Sequence, residues 1–308
     1  MESLHFISVS GKSELELAYA IREKGYQVSV SCAVLDKETE EGLRANGCIC
    51  HGEGWFPEKL TKDMNLIVLG NDLCPDNPEL LRAKKLGVLI RSISEFIYHW
   101  TKFQTRLVIS GTHGRKAIIS LIVRALKQQR LDFDYVLSGR ISELPTGVRL
   151  SDEARIVLIE AHPEVLLSPA SPFRLAFYRP HIAILTTILW TPGLKYETPE
   201  EYLDVFRSFL SSIEREGKLI YYRHDKVVSR LVEDLREDIT AMAYEEQTIT
   251  RRENTIFLKT NANEYPIQIP DSYFLTNLQA AHLASRQLGV KDANFYQAIA
   301  DNSLSLPL

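Results

Sequence analysis

Short apolar runs alternate with amphipathic stretches along the first hundred residues, and this alternation restricts the possible fold more than any other feature of the chain. Residues 4–9 precede an amphipathic 14–24, and 26–31 precede 36–46. Further on come 66–69, 78–86, 88–90 and 93–100. Unbroken apolar runs of strand length suit strands covered on both faces. A helix between consecutive strands makes them parallel, so the spacing predicts an α/β fold with helices on both sides of a parallel sheet. Gly25, just past the helix-compatible Leu15-Glu16-Leu17-Ala18-Tyr19-Ala20-Ile21, supplies a helix stop.

The pattern restarts after the polar stretch Thr101 to Arg106, where we place a domain boundary: residues 1–104 form a first domain and 105–308 a second. A strand at 107–110 runs through a glycine-containing turn into a helix at 116–128. Strands at 155–160 and 181–187, a helix at 199–214 and a strand at 218–222 continue the alternation. Residues 248–269 differ, with short β-branched and aromatic runs broken by turn residues such as Asn261-Ala262-Asn263. They predict a small antiparallel sheet added to the parallel one. Helices at 272–288 and 291–300 complete the second domain.

With 308 residues, 45% hydrophobic and 25% charged, the chain can bury two cores. Lys and Arg number 36 against 40 Asp and Glu, a net charge of −4, so no broad positive field exists to hold nucleic acid or an anionic membrane. No apolar run has the length of a membrane span and no basic, apolar leader opens the chain, so the expected location is cytoplasmic. Cys32, Cys48, Cys50 and Cys74 are too few for a disulfide scaffold. Cys48, Cys50 and His51 suggest a metal site by proximity, but on a strand they alternate between faces and have no second pair at zinc spacing, which favours packing cysteines.

Chemistry concentrates at Gly111-Thr112-His113-Gly114-Arg115-Lys116-Ala117. A strand, a glycine turn and a helix start form a common phosphate cradle, because free backbone N–H groups and the helix dipole converge there. Such a loop next needs a Lys for the β- and γ-phosphates and a Ser or Thr for Mg²⁺. Arg115 and Lys116 hold those slots. Arg115 can still contact phosphate, but an ammonium at the second slot has no lone pair for a metal. By residue chemistry alone, a plain structural turn explains the loop equally well.

The string Ile109-Ser110-Gly111-Thr112-His113-Gly114 resembles the G-[TS]-H-G-K-T-[TS] loop of the Mur ligase family. Glu53-Gly54-Trp55-Phe56-Pro57-Glu58-Lys59 and Asp76-Asn77-Pro78-Glu79-Leu80 are similar to segments of its muropeptide-ligase branch and of the related UDP-N-acetylmuramate–L-alanine ligases. Asn277-Leu278-Gln279-Ala280-Ala281 and Gln287-Leu288-Gly289-Val290 match the helix closing the family's central domain. The resemblance implies a Rossmann-like UDP-binding-type domain followed by an ATP-binding-type central domain. It also implies ATP and Mg²⁺ as cofactors, a UDP-sugar or phosphate ligand, and a chemistry in which ATP phosphorylates a muramate carboxylate that an amine then attacks.

Carried over residue by residue, the family pattern is eroded. Gly111, Thr112, His113, Gly114, Arg115 and Lys116 stand at the nucleotide loop, and Ser10, Gly11 and Lys12 at the UDP turn, where one glycine remains of Val9-Ser10-Gly11-Lys12. Glu160 is the only family carboxylate retained, and the only metal ligand the resemblance can supply; it names no catalytic group. The following acidic cluster reads Ala161-His162-Pro163-Glu164, the metal-binding Asp-His pair falls on Thr191-Pro192, and the acid after the second strand falls on Cys32. The adenine element falls on Asp271-Ser272-Tyr273-Phe274. The resemblance stops at Leu308, where the family begins a third, ligase domain, so that domain is expected to be absent.

Two functions follow as expectations. One is a degenerate homologue that binds a ligand or a protein partner of cell-wall synthesis, and the other is an active ADP-forming amide ligase, with the third domain supplied in trans as a further possibility. His162, Trp55 and Trp190 are read as packing residues, and Glu38 to Glu41 as a solvated helix face.

Overall fold

A computed structural model describes residues 2–163, 174–192, 196–253, 255–259 and 263–303. The first hundred residues form β1 (Ser3–Ile7), α1 (Lys12–Glu23), β2 (Gln27–Cys32), α2 (Lys37–Ala45), β3 (Ile49–Glu53), β4 (Leu66–Leu69), α3 (Pro78–Leu86), β5 (Ile90–Ser92) and α4 (Ile93–Thr101), with a 3₁₀ turn at Pro57–Lys59. The strands make one parallel sheet in the order β3-β2-β1-β4-β5. Local chemistry sets the helix ends. Asp36 caps α2 through the Thr39 N–H, and Ser92 and Glu95 form a capping box on α4. Asn77 caps α3, Pro78 opens its first turn, and Gly87 ends it at φ +69°.

The rest of the chain builds a second sheet from β6 (Thr105–Ser110), α5 (Arg115–Gln128), β7 (Asp134–Val136), β8 (Val148–Arg149), β9 (Ile156–Glu160), β10 (Ile182–Leu185), α6 (Pro199–Ser211), β11 (Lys218–Tyr222), α7 (Lys226–Glu233) and β12 (Thr240–Tyr244). Its order is β12-β11-β10-β6-β9-β7-β8, and its pairings are parallel except for β8 on β7. β13 (Ile249–Arg252), β14 (Thr255–Lys259) and β15 (Glu264–Ile267) form the expected antiparallel sheet, followed by α8 (Phe274–Gln287) and α9 (Asp292–Ser303). Asn261 and Ala262 of the expected turn, and Glu164, lie outside the described residues.

β6 lies between β9 and β10, so the chain leaves it in a different direction from its neighbours. Open parallel sheets form their ligand crevice at such a switch point, outside the carboxyl ends of the strands. α5 covers one face there, burying Ile118, Ile119, Ile122, Val123 and Leu126. One apolar cluster runs through both sheets, joining Phe6 and Phe96 to Val108 and Phe206.

Arg106 joins the two sheets at their junction. Although it belongs to the polar stretch expected to act as a linker, it is 1% exposed. Its Nη1 donates to the carbonyls of Thr101 and Lys102 at the end of α4, its Nε to those of Tyr178 and Arg179, and its Nη2 reaches Glu214 at 3.0 Å. The guanidinium therefore satisfies carbonyls that the last turn of a helix leaves open. Among the described residues, no helix is long and apolar enough to cross a membrane.

Candidate functional site

Gly111 and Gly114 are required by the loop's geometry. Gly111 has φ +123°, and a Cβ there would meet the Thr186 hydroxyl and lie 2.9 Å from the Thr187 carbonyl. Gly114 has φ +82°, and a Cβ would lie 2.7 Å from Asn277 Oδ1. Thr112 fastens the loop to the segment after β10: its N–H donates to the Thr187 carbonyl at 2.6 Å, and its Oγ1 accepts the Leu189 N–H at 2.9 Å. His113 is exposed.

Arg115 turns inward. It is buried, its Nε lies 3.4 Å from Glu160 Oε1, and its Nη1 donates to the carbonyls of Gly111 and Thr112. Glu160 is buried too, and its other oxygen accepts the Ser138 N–H at 3.0 Å. The cation at the phosphate-contacting slot and the retained carboxylate are thus each other's partner. Lys116 is exposed and extends towards Gly139. Thr191 and Pro192 are exposed, and His162 is half-buried.

This donor set does not suit a magnesium-bound triphosphate. Magnesium needs oxygen ligands in a tight octahedron, but Lys116 brings an ammonium where the family's loop carries a Ser or Thr, and Glu160, at the end of β9, is already paired with the Arg115 guanidinium. Among the described residues, no three His, Cys, Asp or Glu side chains gather to hold a metal. That includes Cys48, Cys50 and His51: Cys48 is buried and Cys50 half-buried, while His51 is exposed and packs edge-on against Phe56.

The turn after β1 holds a second buried carboxyl group. Glu14, 4% exposed, accepts the Ser10 N–H at 2.8 Å on one oxygen and the Asn71 N–H at 2.9 Å on the other. Its carboxylate therefore stands among the N–H groups that an anion at this turn would use. Burial, the largest influence, pushes the Glu14 carboxyl above its ordinary value. The Ser10 hydroxyl donates to Asp72 at 2.8 Å, and Lys12 reaches Glu38 at 3.5 Å in solvent. Gly11, at φ −117°, needs no glycine, whereas Ser8 stands at φ +63°, where glycine is favoured. Burial also raises the Cys32 thiol to about 12, so it is no stand-in for an acid.

Beside the central loop lies a cavity of about 650 Å³. Tyr222, Tyr244, Tyr273, Ile188 and Leu189 give it an apolar lining, and His113, Asn277, Asp225 and Asp271 add polar groups. Asp225 caps α7 through the Val227 and Val228 N–H groups and also accepts the Ile188 N–H at 3.0 Å. Asp271 accepts the Tyr273 N–H at 2.8 Å. Of its lining, His113 and Gly114 belong to the loop singled out in the sequence and Asp271 and Tyr273 to the segment aligned with the family's adenine element, while Tyr222, Asp225 and Tyr244 carry no such signal. Trp55 and Trp190 pack against apolar clusters, as expected.

Two sheets of this order, the second carrying a strand-turn-helix loop after its central β6, and a following antiparallel sheet define an α/β protein with the Mur ligase fold. A solved UDP-N-acetylmuramate:L-alanyl-γ-D-glutamyl-meso-diaminopimelate ligase from Neisseria meningitides superposes with a TM-score of 0.84 at 17% identity, over 97% of this chain and 98% of that one. The UDP-N-acetylmuramate-alanine ligase of Thermotoga maritima superposes with a TM-score of 0.70 at 17% identity, over 98% of this chain and 68% of that one. In sequence, the chain is 26% identical to the UDP-N-acetylmuramate–L-alanine ligase of Carboxydothermus hydrogenoformans, over 99% of its own length and 65% of the relative's. It is 24% identical to that of Aquifex aeolicus, over 100% and 63%. The chain thus spans less than two thirds of these relatives. No protein-family model matches it. Along its whole length the chain is thus similar in sequence to UDP-N-acetylmuramate–L-alanine ligases, and it has the fold of the Mur ligases.

Proposed function

We propose that this chain is a catalytically degenerate Mur ligase homologue of cell-wall metabolism, with domains at 1–104 and 105–308, that acts by binding a ligand or a protein partner and not by ligation. The observation carrying this reading is the Arg115–Glu160 pair, which joins the loop's cation to the carboxylate a metal would need. Electrostatic stabilisation of a transferring phosphoryl group depends on cations free to face it, and losing one such group costs orders of magnitude in rate. Glu14 supports the same reading at the UDP-type turn, where a diphosphate would have to displace a buried carboxylate.

The alternative is an active ADP-forming ligase, and the open cavity beside the loop is the observation in its favour. The first half-reaction separates the two readings without needing an amine-binding domain. The chain is incubated with MgATP, UDP-N-acetylmuramate and hydroxylamine, which traps an acyl-phosphate as its hydroxamate. The proposal expects neither hydroxamate nor muramate-dependent ADP above a protein-free control. Sustained formation of both would establish the active ligase.

A further inference from the structure

From Leu80 to Phe103 the chain carries five cations, Arg82, Lys84, Lys85, Arg91 and Lys102, against one acid, Glu95, although the whole chain has a net charge of −4. Glu95 is engaged in the capping box of α4. The same stretch exposes Leu81 at 50%, Leu89 at 52% and Phe103 at 90%, three of the eight large apolar side chains exposed among the described residues. Surplus positive charge and bare apolar surface therefore coincide, and none of the five cations makes an ion pair among the described residues.

The fold places these residues around one edge. β5 ends the first sheet, so its outer side has no neighbouring strand. α3 packs on one face of that edge through Leu80 and Ala83 and turns Glu79 inward, leaving Arg82, Lys84 and Lys85 around Leu81 on its solvent side. On the other face, Arg91 pairs in register with Val68, which shares an apolar cluster with Phe96 of α4. Leu89, just before β5, points the same way by strand alternation. His99 and Lys102, at the end of α4, extend this second group, and Lys102 Nζ lies 4.7 Å from the centre of the Phe103 ring. Burial first, then the charges of Arg91 and Lys102, pushes the His99 imidazole below its ordinary value.

We propose that this edge docks an extended protein segment carrying both acidic and apolar side chains. A peptide laid along an edge strand sends alternate side chains to the two faces, so its carboxylates reach both groups of cations and its apolar side chains cover Leu81, Leu89 and Phe103. A lipid surface is flat and meets one face only. A second copy pairing through the same edge would bring cations against cations, which is how a basic edge deters self-association. The surface belongs to the first sheet and shares no residue with the loop after β6, so the proposal holds whether or not that loop transfers phosphate.

Fluorescence polarisation of a labelled synthetic peptide of repeated Glu-Glu-Leu-Leu, titrated with the full chain, tests it. Saturable binding that weakens as salt is raised is expected, with none to the matching Lys-Lys-Leu-Leu peptide. Lys84→Glu with Lys85→Glu should weaken binding at least about tenfold. Arg82→Glu alone, which reads the same face should the double variant fail to fold, and Leu81→Ser should each weaken it several-fold. Lys226→Glu with Arg230→Glu, a reversal of exposed cations on α7, should leave it unchanged. No saturable binding at millimolar concentration, equal binding of the lysine peptide, equal losses in the α3 and α7 variants, or tighter binding to phosphatidylglycerol vesicles than to the acidic peptide would each overturn the proposal.

Discussion

Arg115 Nε lies 3.4 Å from Glu160 Oε1, with both side chains buried, so the first helical residue after the glycine turn is held to the end of β9 and not presented to solvent. Removing one partner of a buried pair strands the other charge, which typically costs about 3–5 kcal/mol, whereas removing both is far milder. Arg115→Met should therefore destabilise the chain by roughly 3 kcal/mol, and adding Glu160→Gln should restore at least half of it. Urea denaturation of the two single variants and the double variant measures this. Additive losses would show that the pair is not coupled.

Gly111→Ala is expected to be among the most damaging small substitutions. Its φ of +123° strains any side chain, and the new Cβ would press on the Thr186 hydroxyl and the Thr187 carbonyl. Gly11→Ala, at φ −117° with open space around it, should change the thermal midpoint little. Comparable losses in the two variants would contradict the geometry described.

Arg106 gives a test at the junction of the sheets. Arg106→Ala leaves the α4 carbonyls without their donor and Glu214 with Arg179 as its remaining partner, and should cost about 3 kcal/mol in urea denaturation. Arg106→Lys should recover only part of this, since a single ammonium cannot serve partners spread around a planar fork.

Glu79 connects stability to pH. Burial alone would raise its carboxyl, but the His5 ring at 3.2 Å, the Ser31 hydroxyl and the Phe56 N–H outweigh this and hold it below its ordinary value. A depressed carboxyl stabilises the fold above its unfolded pKa, and that stability is lost as pH falls through the folded value. The gap in stability between wild type and Glu79→Gln should therefore be widest near neutrality and shrink as pH drops below the ordinary carboxylate range. A gap that is constant with pH would show that Glu79 acts by shape alone.

Much of this fold is legible in the sequence, because strands buried on both faces read as unbroken apolar runs. Residues 66–69 and 182–185 mark β4 and β10 for that reason. Asp76-Asn77-Pro78-Glu79 is also readable locally, as a cap, a first-turn proline and an acid in the first turn. The direction of a long side chain is not readable. Nothing in the order Gly114-Arg115-Lys116 tells which cation turns inward, since Glu160 arrives from β9 through sheet pairing. Glu14 looks like an ordinary first-turn acid until β4 brings the Asn71 N–H to it. The cavity joins Tyr222 and Tyr244 to Tyr273, residues separated along the chain and gathered only by the sheet order β12-β11-β10-β6 and the return of α8. Arg106 was masked by its polar neighbours, which give no hint that it is fully enclosed.

The most direct test of the loop's role is ATP affinity measured by titration with and without Mg²⁺. With Arg115 engaged by Glu160 and an ammonium at the metal slot, Mg²⁺ should leave ATP affinity unchanged or weaker, and Arg115→Lys with Lys116→Thr should make it magnesium-dependent. A tenfold or greater tightening by Mg²⁺ in the wild-type chain would contradict the account.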